Sequence, residues 1–438
     1  MDNSPQTPTP QTPTSQIPTP RTPNRSAAQG RAPQKLRRRR TIAFVTAGVV
    51  AASSLISALW LGDSPSGAAG PATHTSSESN SASHTLQSSL DDLITEDGFP
   101  GALAAVTQPD GTVTNYVAGV SELGEESPPP EDGLVRIASN TKMFTSVVVL
   151  QLVEEGLVSL DEPVETYLPG LVHGDGIDGA AITVRQLLQH TSGLPNYTAA
   201  IAGDLFAIRD TYLQPRDLVD LALAMPASFA PGASYEYSNT NYVIAGLIIE
   251  KVTKRPLGEQ ITDRIIDPLD LENTYFPGIG DREINGPHAT GYHTNADGEL
   301  EDITRTDPSW AWAAGQLIAS PSDVNRFMQA LAGGELLGTD PAGVDLLTEM
   351  QTTIPAAELW EGAEYGLGLI RYPLSCGGVA WGHGGDVSGY ETRNAVDESG
   401  RAVTIAVTAL PSTLNPDEDE VLATMKNIEG MVDAALCD

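Results

Sequence analysis

Three short motifs carry residue types that together can form and break an acyl bond. They are Ser139-Asn140-Thr141-Lys142, Tyr237-Ser238-Asn239 and His383-Gly384-Gly385. A serine hydroxyl is a weak nucleophile at neutral pH, so it needs a basic group within hydrogen-bond distance. Lys142 follows Ser139 by three residues, and on one helix this spacing puts both side chains on the same face. Of the five lysines in the chain, only Lys142 has a serine at this spacing.

The sequence around the first motif predicts the beginning of a buried helix. Arg136-Ile137-Ala138 is typical of a strand or loop, and the apolar run over 143–152 with a glycine at 156 predicts a helix and its end. The positive end of a helix favours developing negative charge. Ser139 is therefore a candidate nucleophile, although a serine that merely caps this helix would have the same position.

The other two motifs predict a base and an oxyanion site. Turn residues precede Tyr237 and an apolar helix is predicted from about 242 to 251, so Tyr237 and Asn239 are expected on a loop. A phenol beside a lysine ammonium can be driven toward phenolate and act as general base. The glycines after His383 predict an edge strand whose N–H groups, with that of Ser139, could stabilise an oxyanion. His383 itself would supply a positive or hydrogen-bonding wall.

With these motifs the chain resembles the serine β-lactamase and penicillin-binding-protein superfamily, in its class C-like branch. Within that branch it is similar to the Streptomyces-type D-alanyl-D-alanine carboxypeptidases. The resemblance covers about residues 86–437 and includes further stretches, such as Leu150-Gln151-Leu152-Val153-Glu154-Glu155-Gly156, Tyr167-Leu168-Pro169-Gly170, Gln189-His190-Thr191-Ser192-Gly193-Leu194 and Tyr365-Gly366-Leu367-Gly368-Leu369. It implies an α/β (α+β) fold of the β-lactamase/transpeptidase type, with an antiparallel sheet flanked by helices and a mainly helical lobe.

The resemblance also implies a role for each motif residue in a two-step reaction through an acyl-enzyme. Ser139 would be the nucleophile and Lys142 its activating partner, while Tyr237 would be general base for acylation and acid toward the leaving group. The implied substrate-binding residues are Asn239, His383, Gly384, Gly385 and Asp386, with the N–H groups of Ser139 and Asp386 forming the oxyanion hole.

The chain departs from that family pattern where carboxypeptidases bind the terminal carboxylate of the substrate. Gly384 and Asp386 stand at positions of hydroxyl residues, and Ile370 stands at the arginine position, with Arg371 beside it on the opposite strand face. An aspartate would repel an incoming carboxylate by about 1–4 kcal/mol. The sequence still favours a carboxypeptidase-type peptidase acting on cell-wall peptides. The alternatives are an esterase or β-lactamase of the same family, or a non-catalytic penicillin-binding sensor.

The N-terminal region predicts how the protein is held at a membrane. Residues 1–40 form a Thr/Pro-rich basic tail that we expect to be disordered, and 41–61 are long and apolar enough for one transmembrane helix. The arginines at 37–40 place the tail in the cytoplasm and the hydrolase domain, 85–438, outside the cell, after a flexible linker over 62–84. The long run and tail favour this anchor over a signal peptide cleaved near Ser66-Gly67-Ala68.

Composition limits the partners and cofactors. The net charge is −33, and residues 1–62 hold eight basic residues against one acidic residue, so the folded region is strongly acidic and excludes nucleic acid as a partner. The seven histidines show no metal-binding spacing, so no metal or other cofactor is implied. We expect a monomer that binds a small-molecule or peptide substrate.

The order of predicted elements agrees with the implied fold. Strand-like segments at 102–106 and 113–120 come before the serine helix, those at 380–382 and 403–409 come near the end, and helical segments lie between. Cys376 and Cys437 are the only cysteines. Outside the cell such a pair usually forms a disulfide, and the resemblance supports that pairing, while two unpaired buried thiols are the alternative.

Overall fold

Strands come from both ends of the folded chain. In the computed structural model, which describes residues 78–438 apart from 202–204, 358, 360 and 361, they are β1 (Gly101–Thr107), β2 (Val113–Gly119), β3 (Val135–Arg136), β4 (His173–Gly174), β5 (Ile177–Asp178), β6 (Thr274–Tyr275), β7 (Tyr292–Thr294), β8 (Leu300–Asp302), β9 (Ile318–Ala319), β10 (Ile354–Pro355), β11 (Glu364–Tyr365), β12 (Ile370–Pro373), β13 (Val379–Val387), β14 (Tyr390–Asp397) and β15 (Ala402–Val407).

Eight of these strands form one antiparallel sheet. Their order is β10-β11-β12-β13-β14-β15-β1-β2. Strand β1 pairs with β15 in the register Ala102↔Val407, which joins the beginning and the end of the domain. All residues of β1 and β15 are buried, because helices cover both faces of the sheet. The predicted antiparallel sheet is confirmed.

The helices cover the sheet and build a second lobe between its N- and C-terminal strands. They are α1 (Glu78–Thr95), α2 (Thr141–Glu154), α3 (Val164–Tyr167), α4 (Val184–Leu188), α5 (Thr198–Ile201), α6 (Leu205–Ile208), α7 (Pro215–Leu223), α8 (Asn239–Thr253), α9 (Leu257–Ile261), α10 (Pro321–Ala332), α11 (Leu346–Met350), α12 (Pro411–Leu414) and α13 (Glu418–Cys437). The predicted helical lobe is therefore also confirmed.

Two apolar cores lie on opposite faces of the sheet. The larger core surrounds α2, whose Phe144 stacks on Phe327 of α10 with ring centroids 3.8 Å apart. The smaller core packs α1 and α13 against the other face, through residues such as Leu90 and Ile428. Helix α2 is buried on nearly all sides, so the side chains at its beginning are held rigidly.

Some predicted boundaries differ from those in the structure. Helix α1 begins at Glu78, within the segment expected to be a linker. The predicted tail and the apolar run at 41–61 lie outside the described residues, and among the described residues no helix is long and apolar enough to cross a membrane. The membrane anchor therefore stays a prediction.

The predicted disulfide between Cys376 and Cys437 is present, with Cα atoms 5.6 Å apart. It joins the turn between β12 and β13 to the last residue of α13. The cross-link therefore fastens the C-terminal helix to the strand that carries the His-Gly-Gly motif.

Candidate active site

The nucleophile candidate lies in a tight turn directly before α2. Ser139 is the middle residue of a 3₁₀ turn, Ala138–Asn140, and it keeps partial exposure to solvent. Ala138 has a φ of 47°, a conformation that costs energy in a non-glycine residue and is common at functional sites. Asn140 holds the N-cap position of α2 and its side chain makes no capping bond there. Capping therefore does not explain why a serine stands at 139.

Lys142 connects the serine to the rest of the site. Its Nζ atom lies 2.9 Å from Ser139 Oγ, 2.8 Å from Asn239 Oδ1 and 2.7 Å from the carbonyl oxygen of Ala314. The side chain has no exposed surface, and this burial lowers its pKa well below the ordinary lysine value. The nearby charge of Asp386 raises the pKa, but by less than burial lowers it.

These three contacts fix where the protons of a neutral Lys142 amine lie. A neutral amine has two N–H donors and one lone pair, and the Asn239 and Ala314 oxygens can only accept. Both N–H groups are therefore directed to those two oxygens. The lone pair is left for the hydroxyl hydrogen of Ser139, so the amine is oriented as a base for that serine.

Tyr237 is the second side chain that contacts Ser139. Its hydroxyl is hydrogen-bonded to the Ser139 side chain, and its ring centroid is 4.9 Å from Lys142 Nζ. Burial raises the pKa of Tyr237 well above its ordinary value, so the expected phenolate is wrong for the unliganded protein. A buried Lys142 that loses its own charge cannot stabilise a phenolate. Tyr237 is therefore a neutral phenol that can donate a proton.

Asn239 begins helix α8, so the expectation that it lies on a loop is wrong. Its backbone N–H donates to Asn196 Oδ1 over 3.3 Å. With its side-chain oxygen bound to Lys142, the amide NH₂ group remains as a donor for a substrate carbonyl.

His383 is a hydrogen-bonded wall and carries no positive charge at neutral pH. It is 2% exposed, and this burial lowers its pKa to about 3. Its Nε2 atom lies 3.0 Å from the Tyr365 hydroxyl, while Nδ1 contacts the carbonyl oxygen of Gly384. Because the carbonyl can only accept, Nδ1 carries the proton and Nε2 accepts from Tyr365.

The strand with the His-Gly-Gly motif, β13, lies inside the sheet, so the expected edge strand is wrong, but among the described residues its 383–387 segment has one free edge. It pairs with β14 along its length and with β12 only over 379–382. A two-residue turn joins Val387 to Tyr390, and hydrogen-bonded and non-bonded pairs alternate along an antiparallel ladder. The N–H groups of Gly384 and Asp386 therefore point away from β14, toward the free edge. The N–H of Asp386, the predicted oxyanion donor, thus faces the unpaired edge of the strand.

A polar network that the motifs do not reveal holds this strand against the nucleophile turn. Asn140 Nδ2 donates to the Ile137 carbonyl over 2.7 Å and to Thr392 Oγ1 over 2.6 Å. Asn394 Nδ2 donates to Asn140 Oδ1. The network passes Gly385, where a Cβ atom would lie 2.6 Å from Asn140 Nδ2. Only a glycine allows this close approach, which sets the distance between the two oxyanion donors.

Ile370 and Arg371 stand where the resemblance implies a carboxylate-binding arginine, but neither offers a cation for a substrate carboxylate. Ile370 is buried on β12 opposite Gly382, and Arg371 Nη1 pairs with Glu364 over 2.9 Å. Asp386 is half-exposed, and its Oδ1 accepts from Arg393 Nη1 over 2.7 Å. Arg393 comes from β14 and belongs to none of the sequence motifs.

His190 is fully buried behind Tyr237. Its Nδ1 atom accepts from the backbone N–H of Ser238 over 3.2 Å, and its ring centroid lies 4.3 Å from that of Tyr237. Burial lowers its pKa well below the ordinary value. The neutral ring therefore supports the phenol of Tyr237.

Comparison with known proteins places this geometry in a family. The model of the family described as Beta-lactamase matches residues 86–427. The crystal structure of a D-stereospecific amidohydrolase from Streptomyces sp. is similar, with 37% identity over 78% of this chain and 97% of that chain and a TM-score of 0.68. The D-amino acid amidase from Ochrobactrum anthropi SV3 is 29% identical over 80% of this chain and 99% of its own, with a TM-score of 0.66.

Relatives with curated sequences are more distant or are matched over part of their length. Penicillin-binding protein 4* of Bacillus subtilis is 26% identical, over 70% of this chain and 67% of its own length. The chain spans 38% to 48% of the length of the first curated relatives that it matches.

Proposed function

Since the chain belongs to the β-lactamase family of serine hydrolases, we propose that it cleaves amide bonds through an acyl-enzyme on Ser139. The observation that carries the proposal is the contact of Lys142 Nζ with Ser139 Oγ, made by a buried amine whose other two neighbours are carbonyl acceptors. Burial lowers the pKa of this amine, and its neutral form is directed at the hydroxyl, as a general base must be.

Acylation begins when the Ser139 hydroxyl transfers its proton to Lys142 Nζ and Oγ attacks the substrate carbonyl. The carbonyl π electrons move to the oxygen, and the N–H groups of Ser139 and Asp386 bind the resulting oxyanion. The oxyanion collapses and the amide C–N bond breaks. The departing nitrogen takes a proton from the Tyr237 hydroxyl, which in turn recovers one from the Lys142 ammonium. Each group thus returns to its starting protonation state.

Deacylation uses the same groups, with water as the nucleophile and Ser139 as the leaving group. A water molecule loses a proton to the Lys142 amine, directly or through Tyr237, and attacks the ester carbonyl. The oxyanion forms again in the same hole. Ser139 leaves as its hydroxyl once the proton is returned to Oγ, and the acid product is released.

The substrate class that we propose is the amides of D-amino acids and short D-peptides. A half-exposed carboxylate, Asp386, stands beside the oxyanion donors, where it favours neutral or positively charged substrate groups over carboxylates. The similar solved structures, a D-stereospecific amidohydrolase and a D-amino acid amidase, support the same class. Binding by Asn239 of the substrate amide agrees with this class.

A D-alanyl-D-alanine carboxypeptidase is the second candidate. It would use the same reaction steps, and the guanidinium of Arg393 contacts Asp386, one of the positions where the resemblance implies binding of a terminal carboxylate. Asp386 covers the solvent side of that cation, which is why we place the amide hydrolase first. Three further alternatives remain. An esterase or a β-lactamase would act on a different substrate, and a penicillin-binding sensor would bind its ligand without turnover.

We further propose that the reaction takes place outside the cell. The support is the apolar run at 41–61 with the preceding arginines, together with the disulfide, which persists in oxidising compartments. Accessibility of the domain to protease on intact cells would test this location.

Hydrolysis of a matched substrate set tests the proposed reaction. We expect the full chain to release ammonia from D-alanine amide at least tenfold faster than from L-alanine amide, and Ser139→Ala to release none. Intact mass during turnover should show the acyl group on wild-type protein only. If folded protein hydrolyses neither amide, nor N-acetyl-D-alanyl-D-alanine, nor esters, the proposal that it is an enzyme is wrong. A lasting benzylpenicillin adduct without turnover would instead identify the sensor.

A further inference from the structure

A buried guanidinium lies directly behind the free edge of the oxyanion strand. Arg393 on β14 pairs in register with Gly384 on β13. A Cβ atom at Gly384 would be 3.1 Å from Arg393 Nη1. The missing side chain at 384 therefore gives room to the cation, which occupies the volume where other residues would place a hydroxyl.

Asp386 forms an ion pair with Arg393 and is the partner that faces solvent. Residues 384 and 386 lie on the same face of the strand, so the Asp386 carboxylate extends over the same space. Its Oδ1 atom accepts from Arg393 Nη1 over 2.7 Å. The Asp386 side chain is 50% exposed and that of Arg393 is 6% exposed. The carboxylate is consequently the part of the pair that a substrate meets.

The other contacts of Arg393 come from the interior and from helix α13. Its Nη2 atom lies 3.0 Å from Glu391 Oε1, and its Nε atom lies 3.7 Å from Glu429 Oε1. Its Nη1 atom also donates to the Thr392 carbonyl over 2.9 Å. These contacts hold the guanidinium in place without Asp386, because three of them remain when residue 386 changes.

The free edge of β13 sets the direction in which a substrate extends. A substrate carbonyl bound by the N–H groups of Ser139 and Asp386 lies at this edge, next to Gly384. A charged group close to the scissile bond then comes near Asp386 and the Arg393 atom behind it.

We propose that Asp386 and Arg393 together determine which charge the substrate carries beside the scissile bond. The Asp386 carboxylate covers the solvent side of Arg393 and repels a substrate carboxylate, so the protein selects neutral amides. Arg393 is a latent carboxylate-binding group that a small, neutral residue at 386 exposes. This inference rests on the proposed amide hydrolase and adds its specificity determinant.

The test compares one peptide in two end forms, N-acetyl-D-alanyl-D-alanine and its C-terminal amide. For wild-type protein we expect a ratio of kcat/KM, acid to amide, below one. Asp386→Ser should raise the ratio at least tenfold and above one, because a cation then attracts the carboxylate. Glu398→Ser, which removes an exposed charge in the turn between β14 and β15 at the opposite end of the sheet, should keep the wild-type ratio.

The value of the ratio distinguishes the possible failures. If the ratio rises only to one, the substrate carboxylate is no longer repelled by residue 386 but is not attracted by Arg393. That result overturns the role of Arg393 as a carboxylate-binding group. An unchanged ratio overturns the subsite. Calorimetric binding of both peptides to Ser139→Ala, with and without Asp386→Ser, gives the same comparison without turnover. If neither protein hydrolyses the amide while binding still shifts toward the acid, the proposed reaction fails and the subsite stands.

Discussion

Lys142 Nζ lies 2.9 Å from Ser139 Oγ although the two residues belong to different elements, the 3₁₀ turn Ala138–Asn140 and helix α2. The turn runs directly into the helix, so the spacing of three residues still brings the amine below the hydroxyl. Burial of α2 then removes the amine from water. One short stretch of sequence therefore contains the candidate nucleophile and the amine beside it, and burial in the folded protein lowers the pKa of that amine.

Replacement of Lys142 by methionine should abolish most acylation. Methionine keeps the length and the buried packing but has no basic atom, so we expect acylation to be slower by about 10²–10⁴-fold. The measurement is the appearance of acyl-enzyme by mass spectrometry. Lys251→Met, an exposed lysine of α8, is the matched control and should acylate at the wild-type rate. Unchanged acylation in folded Lys142→Met would exclude the amine as base.

The pH dependence of the reaction should follow the protonation of Lys142. Only the neutral amine accepts the serine proton, so kcat/KM rises as pH increases through the Lys142 pKa. Asp386 raises that pKa through its negative charge. In Asp386→Asn the pKa falls further, and the acidic limb of the profile should move to lower pH. A limb that stays in place or moves to higher pH would show that another group controls it.

The close approach at Gly385 predicts a strong effect of a single methyl group. A Cβ atom there would overlap the Ile137 carbonyl oxygen and crowd Asn140 and Thr392. Gly385→Ala should therefore separate the two oxyanion donors and lower kcat by about 10²–10³-fold. Gly430→Ala on α13, where nothing lies within 4 Å, should keep full activity. Equal activity of the two variants would contradict the geometry of the oxyanion hole.

The sequence identified the candidate catalytic residues because each lies in a short motif with a chemically restrictive spacing. Ser139 and Lys142 are on one stretch, and Tyr237 with Asn239 are on another, so no knowledge of the fold was needed to find them. The positions of strands β1 and β15 also followed from their apolar runs.

Strand β14 shows why the remainder could not be predicted. It is buried at seven of its eight positions, yet it carries Glu391, Thr392, Arg393 and Asn394 in succession. Such a polar run does not predict a buried strand, since each polar group needs a partner that lies far away in sequence. The partners, Asn140 and Asp386 among them, are recognisable only after folding. The phenolate expected at Tyr237 was wrong for the same reason, because burial determines its pKa.

Loss of the disulfide should lower stability without changing the catalytic groups. The Cys376–Cys437 cross-link closes a loop with a sequence separation of 61 residues. For a loop of this length the restriction of the unfolded chain contributes about 4 kcal/mol. We expect Cys376→Ser/Cys437→Ser to lose free energy of unfolding of that order in urea titrations. A loss below about 1 kcal/mol would mean that the cross-link constrains little.

Acid should destabilise the fold partly through His383. The folded-state pKa is about 3, below the ordinary value of 6.5, so between these values the unfolded chain binds a proton that the folded protein does not. Stability contributed by the neutral ring is complete above about pH 6.5 and is lost as pH falls toward 3. Between pH 6.5 and 4.5 this loss amounts to about 2 kcal/mol.

His383→Gln removes the titrating ring and keeps a polar side chain beside Tyr365. We therefore expect its free energy of unfolding to fall by about 2 kcal/mol less than that of wild-type protein between pH 6.5 and 4.5. Part of the acid loss should persist, because His190 is buried and its pKa is also lowered. His173→Gln, at a half-exposed position, is the control and should lose as much as wild type. An equal loss in His383→Gln and wild type would show that the ring accepts its proton in the folded state.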